Sequence, residues 1–197
     1  MHLNYIKRII EDSPEPNINY FLKTHRAIQG YSNRIVFIAL RLHGLKYDQA
    51  RKAINSRNLP VIGTLKNALI KIDKEKGKQV LAKSSINESI SLYLTFTSRY
   101  RNMFVHSILA DQNYDQLLPL LLRINVNFLR ELEYYVKEIF GHSAFDGPRK
   151  WGAKKSSRVF SEEEIDFLDL GSRVKAPLDA EEAKHRFEQI NWDHKNN

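Results

Sequence analysis

From Asp115 to Phe140 the chain sets apolar side chains at a spacing that suits a helix and no other element. Leu117, Leu121, Ile124, Phe128, Leu132, Tyr135 and Ile139 recur every three or four residues, and Leu118, Leu122, Leu129, Val136 and Phe140 widen the stripe. So broad an apolar surface has to be covered on more than one side, which calls for other helices around it. No segment alternates with period two between hairpin turns, so strands are not expected. The predicted fold is all-α: an antiparallel helical bundle of four to five main helices with a short helical C-terminal extension.

Turn and cap residues place the remaining helices. Leu3 to Glu11 reads as a first short helix, closed by Ser13-Pro14-Glu15-Pro16, whose prolines forbid its continuation. Tyr20, Phe21, Ile28, Tyr31, Ile35, Ile38 and Leu42 then mark a long helix from Asn19 to a glycine stop at Gly44. Asp48 is the expected cap of a helix over Gln49–Asn58, punctuated by Pro60, and Thr64 that of the next, with Leu65, Leu69 and Ile72 on one face and Gly77 beyond. The Lys71–Lys78 run, KIDKEKGK, reads as a solvated helix end. Ser84 and Ser85 introduce a helix from Ile86 to about Ala110, and the last bundle helix starts near Asp115, accepts Pro119 in its first turns and stops before Gly141. The expected division is a bundle over 1–141, a basic linker over 142–160 and short acidic helices over 161–197. There Ser161 to Glu164 and Asp179 with Glu182 are capping-box signatures, the second opening a helix over Ala180–Asn191.

Charge and composition narrow the function classes. Residues 1–140 carry 21 basic and 12 acidic side chains, whereas residues 141–197 carry 10 and 11, so the positive net charge belongs to the body. Such a surface favours polyanions, nucleic acid or an acidic protein face. With no cysteine, disulfide scaffolds, thiol nucleophiles and cysteine-ligated metal centres are excluded, and the expected compartment is the cytoplasm. The start MHLNYIKRIIED lacks a secretory pattern, and no apolar run reaches the roughly 20 residues of a membrane helix, so no membrane association is expected. Phosphate-binding glycine loops, HExxH, GxSxG and EF-hand patterns are all missing, and the acidic residues of the body are scattered. Neither a metal site nor a cofactor is expected.

One constellation carries chemistry: Arg101-Asn102-Met103-Phe104-Val105-His106. On a straight helix Ile86, Ile90, Tyr93, Thr97, Tyr100, Phe104 and Ile108 form the core stripe, and His106 faces away from it beside Asn102, with Thr95 and Arg99 near. Arg101 lies on the flank of the stripe, about 140° from His106, so one chain does not bring both onto one atom. Three solvated polar residues are the plainest account of such a face. The alternative is RNA cleavage by the substrate's own 2′-hydroxyl, for which histidine moves a proton near neutral pH, arginine stabilises the phosphorane oxygens and asparagine orients.

Arg101-Asn102-x-x-x-His106 resembles the RNxxxH form of the Rx4–6H signature of the HEPN superfamily, the higher eukaryotes and prokaryotes nucleotide-binding domains, over residues 17–141. The resemblance implies an all-α bundle and a metal-independent endoribonuclease of the kind found in toxin–antitoxin, abortive-infection and CRISPR systems. Arg101, Asn102 and His106 would be its catalytic residues, RNA its substrate, and 2′,3′-cyclic phosphate and 5′-hydroxyl ends its products. It further implies a homodimer whose two motifs share a cleft, an antitoxin or sensor protein as a possible partner, and a polar residue from an earlier helix, for which His25 or Asn33 is available. In one toxin branch a tyrosine stands two residues after the histidine and is modified to silence it; Ile108 occupies that place here. By itself His25, on the edge of an apolar face, reads as a partly buried structural histidine, while His142, His185 and His194 show no ligand spacing. Arg99, with Arg149, Lys150 and Trp151 of the acid-free stretch Gly147–Ser161, are the candidate RNA contacts. A non-catalytic HEPN-like module binding RNA, nucleotide or protein is the alternative, and a helical adaptor with an accidental motif the third.

Overall fold

The computed structural model describes residues 8–9, 15–55, 61–83, 85–105, 114–144 and 177–192. The expected helix over Leu3–Glu11, apart from Arg8 and Ile9, and the acidic helix after Ser161 lie outside them. The described elements are α1 (Ile18–His43), α2 (Tyr47–Asn55), α3 (Val61–Lys76), α4 (Val80–Lys83), α5 (Ile86–Leu92), a π-helical segment (Tyr93–Thr97), α6 (Ser98–Val105), α7 (Leu118–Phe140) and α8 (Ala180–Gln189). No strand occurs among the described residues, and no described helix is long and apolar enough to cross a membrane.

Helix ends follow local chemistry. Asn17 opens α1 by accepting the Tyr20 amide on Oδ1 at 2.8 Å. At its other end Gly44 takes φ 108°, and the amides of Gly44 and Leu45 return to the carbonyls of Arg41 and Leu40 at 3.1 Å, closing a Schellman motif that buries Leu45. Gly77 repeats the device after α3, with Lys78 returning to Asp73 O at 2.9 Å. Asp179 caps α8 through the Glu182 amide at 2.8 Å, and this helix stops at Gln189 rather than Asn191.

Two expected caps are corrected. The second helix begins at Tyr47, so Asp48 lies in its first turn, and Gln49 Oε1 accepts the Lys46 amide at 3.2 Å instead. The next begins at Val61, directly after Pro60; Thr64 is therefore an interior residue, buried on the face of Leu65, Ala68 and Leu69. Ser85 does stand before α5, yet its hydroxyl makes no cap and donates to Glu131 Oε2 at 3.1 Å, the better acceptor within reach. Near α7, Asp115 to Leu117 form a turn and the helix starts at Leu118, with Pro119 in the first turn, where a missing amide costs nothing.

The chain divides into two compact units. The first is built from the described residues of Met1–Ile28, Ser85–Leu132 and Val174–Asn197. Its apolar cluster joins Phe21 of α1, Leu92 and Phe96, Leu118, Leu121, Leu122 and Ile124 of α7, and Leu178, Ala183, Phe187 and Trp192 of the C-terminal stretch. Arg123 stacks over the Phe187 ring, 4.9 Å from its centroid. The second unit is built from the described residues of Gln29–Ser84 and Glu133–Arg173. Within it the Tyr135 hydroxyl donates to Leu69 O at 2.9 Å and to Asp73 Oδ1 at 2.8 Å, and Asp73 Oδ2 accepts the Leu81 amide at 2.8 Å. Asp73 is thus a buried tie and not part of a solvated helix end, a correction to the reading of the Lys71–Lys78 run. The Tyr31 hydroxyl likewise donates to Glu133 Oε2, and its phenol is held in the neutral form by burial and the facing carboxylate.

Candidate functional site

The helix expected to run unbroken from Ile86 contains a π-helical turn over Tyr93–Thr97. Its residue types explain it. A π turn shifts amide partners by one residue and strains the carbonyls around it, and short hydroxyl side chains can supply the lost bonds. Thr95 Oγ1 donates to Ser91 O at 2.8 Å, Thr97 Oγ1 to Tyr93 O at 3.1 Å and Ser98 Oγ to Leu94 O at 2.8 Å. From outside the helix the Leu178 amide donates to Thr95 O at 3.2 Å.

The π turn breaks the single straight stripe drawn from Ile86 to Phe104. Thr95, expected on the polar face beside Asn102, is buried. After the turn, α6 presents Arg99 and Asn102 to solvent and keeps Arg101 half-buried. Arg101 Nη1 donates to Asn102 Oδ1 at 2.8 Å, and among the described residues the guanidinium has no carboxylate partner. His106, the third member of the motif, lies outside the described residues, as do Arg149, Lys150 and Trp151.

What stands near Arg101 is a buried polar layer in the first unit. His25 and Tyr93 stack with ring centroids 5.5 Å apart and a 22° interplanar angle, and the Tyr93 hydroxyl is hydrogen-bonded to His25 Nδ1. Burial, and then the Arg101 charge, lower the His25 pKa to about 4, so the ring is neutral at neutral pH. Burial drives the Tyr93 phenol strongly upward, with Arg101 opposing. Beside His25, Asn125 Nδ2 donates to Thr24 Oγ1 at 2.9 Å, Thr24 Oγ1 donates to Phe21 O at 2.7 Å, and Asn125 Oδ1 is buried without a hydrogen-bond partner among the described residues.

Of the two earlier-helix candidates, His25 is therefore within electrostatic reach of Arg101, whereas Asn33 belongs to the second unit. Tyr93, Thr24 and Asn125 were missed as members of this layer. Tyr93 reads as an apolar-stripe residue, but an asparagine between Ile124 and Phe128 in the apolar stripe of α7 was a legible signal. Neutral polar groups around an arginine leave its charge available to an anion, and among the described residues no carboxylate neutralises Arg101. Among the described residues no group of three or more His, Asp or Glu is placed to hold a metal ion. No protein-family model, curated protein or solved structure matches the chain.

Proposed function

We propose that the chain is a metal-independent endoribonuclease of HEPN type, acting as a homodimer in a toxin or antiviral defence system. The observation that carries the reading is Arg101: a half-buried guanidinium beside Asn102 on a basic chain, with neutral groups and no carboxylate partner among the described residues. A cation so placed suits a phosphodiester, whose charge grows in the transition state. His106, five positions on, takes the proton of the RNA 2′-hydroxyl as that oxygen attacks phosphorus. The bond to the 5′-oxygen breaks, the leaving oxygen is protonated, and a 2′,3′-cyclic phosphate and a 5′-hydroxyl result. Arg101 stabilises the pentacovalent oxygens and Asn102 orients. His25, with a pKa near 4, is too weak a base for this step at neutral pH and is not given it.

Purified protein incubated with total RNA in EDTA, beside its Arg101→Ala and His106→Ala variants, tests the reading. Cleavage by the unmodified chain is expected to survive chelation and to fall roughly 100-fold or more in His106→Ala, the scale of a lost acid–base group, with helical circular dichroism unchanged. Activity abolished by EDTA and restored by magnesium or manganese would overturn the mechanism. RNA bound but never cut would favour a non-catalytic binding module.

A further inference from the structure

In an unbroken α-helix Arg101 would stand about 80° around the axis from Tyr93, since each residue turns the chain by about 100°. A π turn holds one residue more than an α turn, which removes about 100° from that count and leaves the two about 20° apart. A second row of side chains obeys the same correction. Leu92, Phe96, Tyr100 and Phe104 follow at four-residue steps and would drift by about 120° along an unbroken helix. All four nevertheless serve one apolar cluster, Leu92 and Phe96 within it and Tyr100 and Phe104 packed against it. With one residue taken out, the two ends of the row, Leu92 and Phe104, fall about 20° apart. The Arg101 charge acts on both Tyr93 and His25, as a guanidinium on the side of that pair must.

The insertion is held from two directions. Three hydroxyls of the turn and its border bond back to carbonyls four residues earlier, and the backbone of Leu178, itself buried in the same unit, takes up Thr95 O. Together these four bonds hold a turn that regular helix geometry disfavours.

We infer that Tyr93–Thr97 is a one-residue insertion that turns Arg101 onto the buried His25–Tyr93 pair, making His25 and Tyr93 positioning residues for the guanidinium. The phosphate that Arg101 would meet rests on the ribonuclease reading; the rotation of the helix does not. Tyr93 anchors the pair at the start of the turn, His25 closes it from α1, and because both rings are neutral the guanidinium lies on their side without spending its charge.

Removing Leu94 from the full chain tests the rotation. The deletion converts the π turn into an α turn and leaves every later residue in place, so the protein keeps its circular dichroism. The nuclear Overhauser contacts between the His25 and Tyr93 rings persist, and the His25 titration midpoint stays at the wild-type value. Arg101→Gln supplies the scale, raising that midpoint by roughly one pH unit. Adding an alanine after Leu94 turns Arg101 away by about 100° and gives the Arg101→Gln value. A Leu94 deletion that unfolds or that titrates like Arg101→Gln, or an Arg101→Gln change that leaves His25 unmoved, overturns the inference. RNA cleavage measured on the same samples separates the two proposals: an inactive parent protein whose His25 responds as described sinks the ribonuclease reading alone.

Discussion

His25 shows how one side chain ties stability to pH. Its neutral form is favoured in the folded chain, where its pKa is about 4, against 6.5 without the fold. The unfolded chain therefore gains a proton as pH falls below about 6.5, and the folded chain does not until about pH 4. The contribution is complete above pH 6.5 and is lost progressively between 6.5 and 4, about 3 kcal/mol in all. Urea unfolding at pH 7 and pH 4.5 is expected to show the parent protein losing about 2–3 kcal/mol more than His25→Gln over that interval. Equal losses would mean that the imidazole is not held neutral. The position of His25 on the edge of an apolar face announced its burial, but not its partner, because Tyr93 reads equally well as plain core.

At the level of elements, the second unit offers a direct measure of a polar tie between helices. Tyr135 of α7 reaches Leu69 O and Asp73 of α3, and Asp73 in turn receives the Leu81 amide in α4. Tyr135→Phe keeps the ring and leaves two buried acceptors short of a donor, so unfolding free energy should fall by about 1–3 kcal/mol with the helical signal of the native state unchanged. A change under half of that would place water in the hydroxyl's role. The ends of α1 and α3 were legible because Gly44 and Gly77 act locally, through backbone angles their neighbours cannot adopt. Asp73 was not legible, since it sits among lysines and its ties to the Leu81 amide and to Tyr135, far along the chain, make it a core residue. The π turn was hidden for the same reason: apolar periodicity assumes 3.6 residues per turn, and one of the bonds holding Thr95 comes from Leu178. Arg101 and Asn102 could be picked out as a pair, whereas the neutral layer beside them depends on helices that the sequence leaves unassembled.

For the whole molecule the ribonuclease reading requires two chains. Arg101 and His106 are about 140° apart on a regular helix, so the proposed site draws on a symmetry mate. Light scattering at assay concentration is expected to give twice the 23.1 kDa chain mass. Mixing Arg101→Ala with His106→Ala protein should restore part of the activity, because a mixed dimer with composite sites contains one intact arginine–histidine set. An active monomer would exclude this assembly. If the chain binds RNA as proposed, the positive body makes that binding sensitive to salt, each phosphate contact contributing a slope of about −0.7 in log affinity against log salt on single strands.

The first unit draws Phe21, Phe96 and Trp192 into one cluster, so residues from near both ends of the sequence complete it. During translation, at about 5–20 residues per second, roughly 5 to 20 seconds separate the emergence of Arg101 from that of Trp192. Until then the helix bearing Arg101 lacks the Leu178 amide that meets its π turn and the aromatic side chains that seal its unit. A ribosome making this protein is thus given an interval in which the newest copy is still unfinished at the very helix proposed to cut RNA.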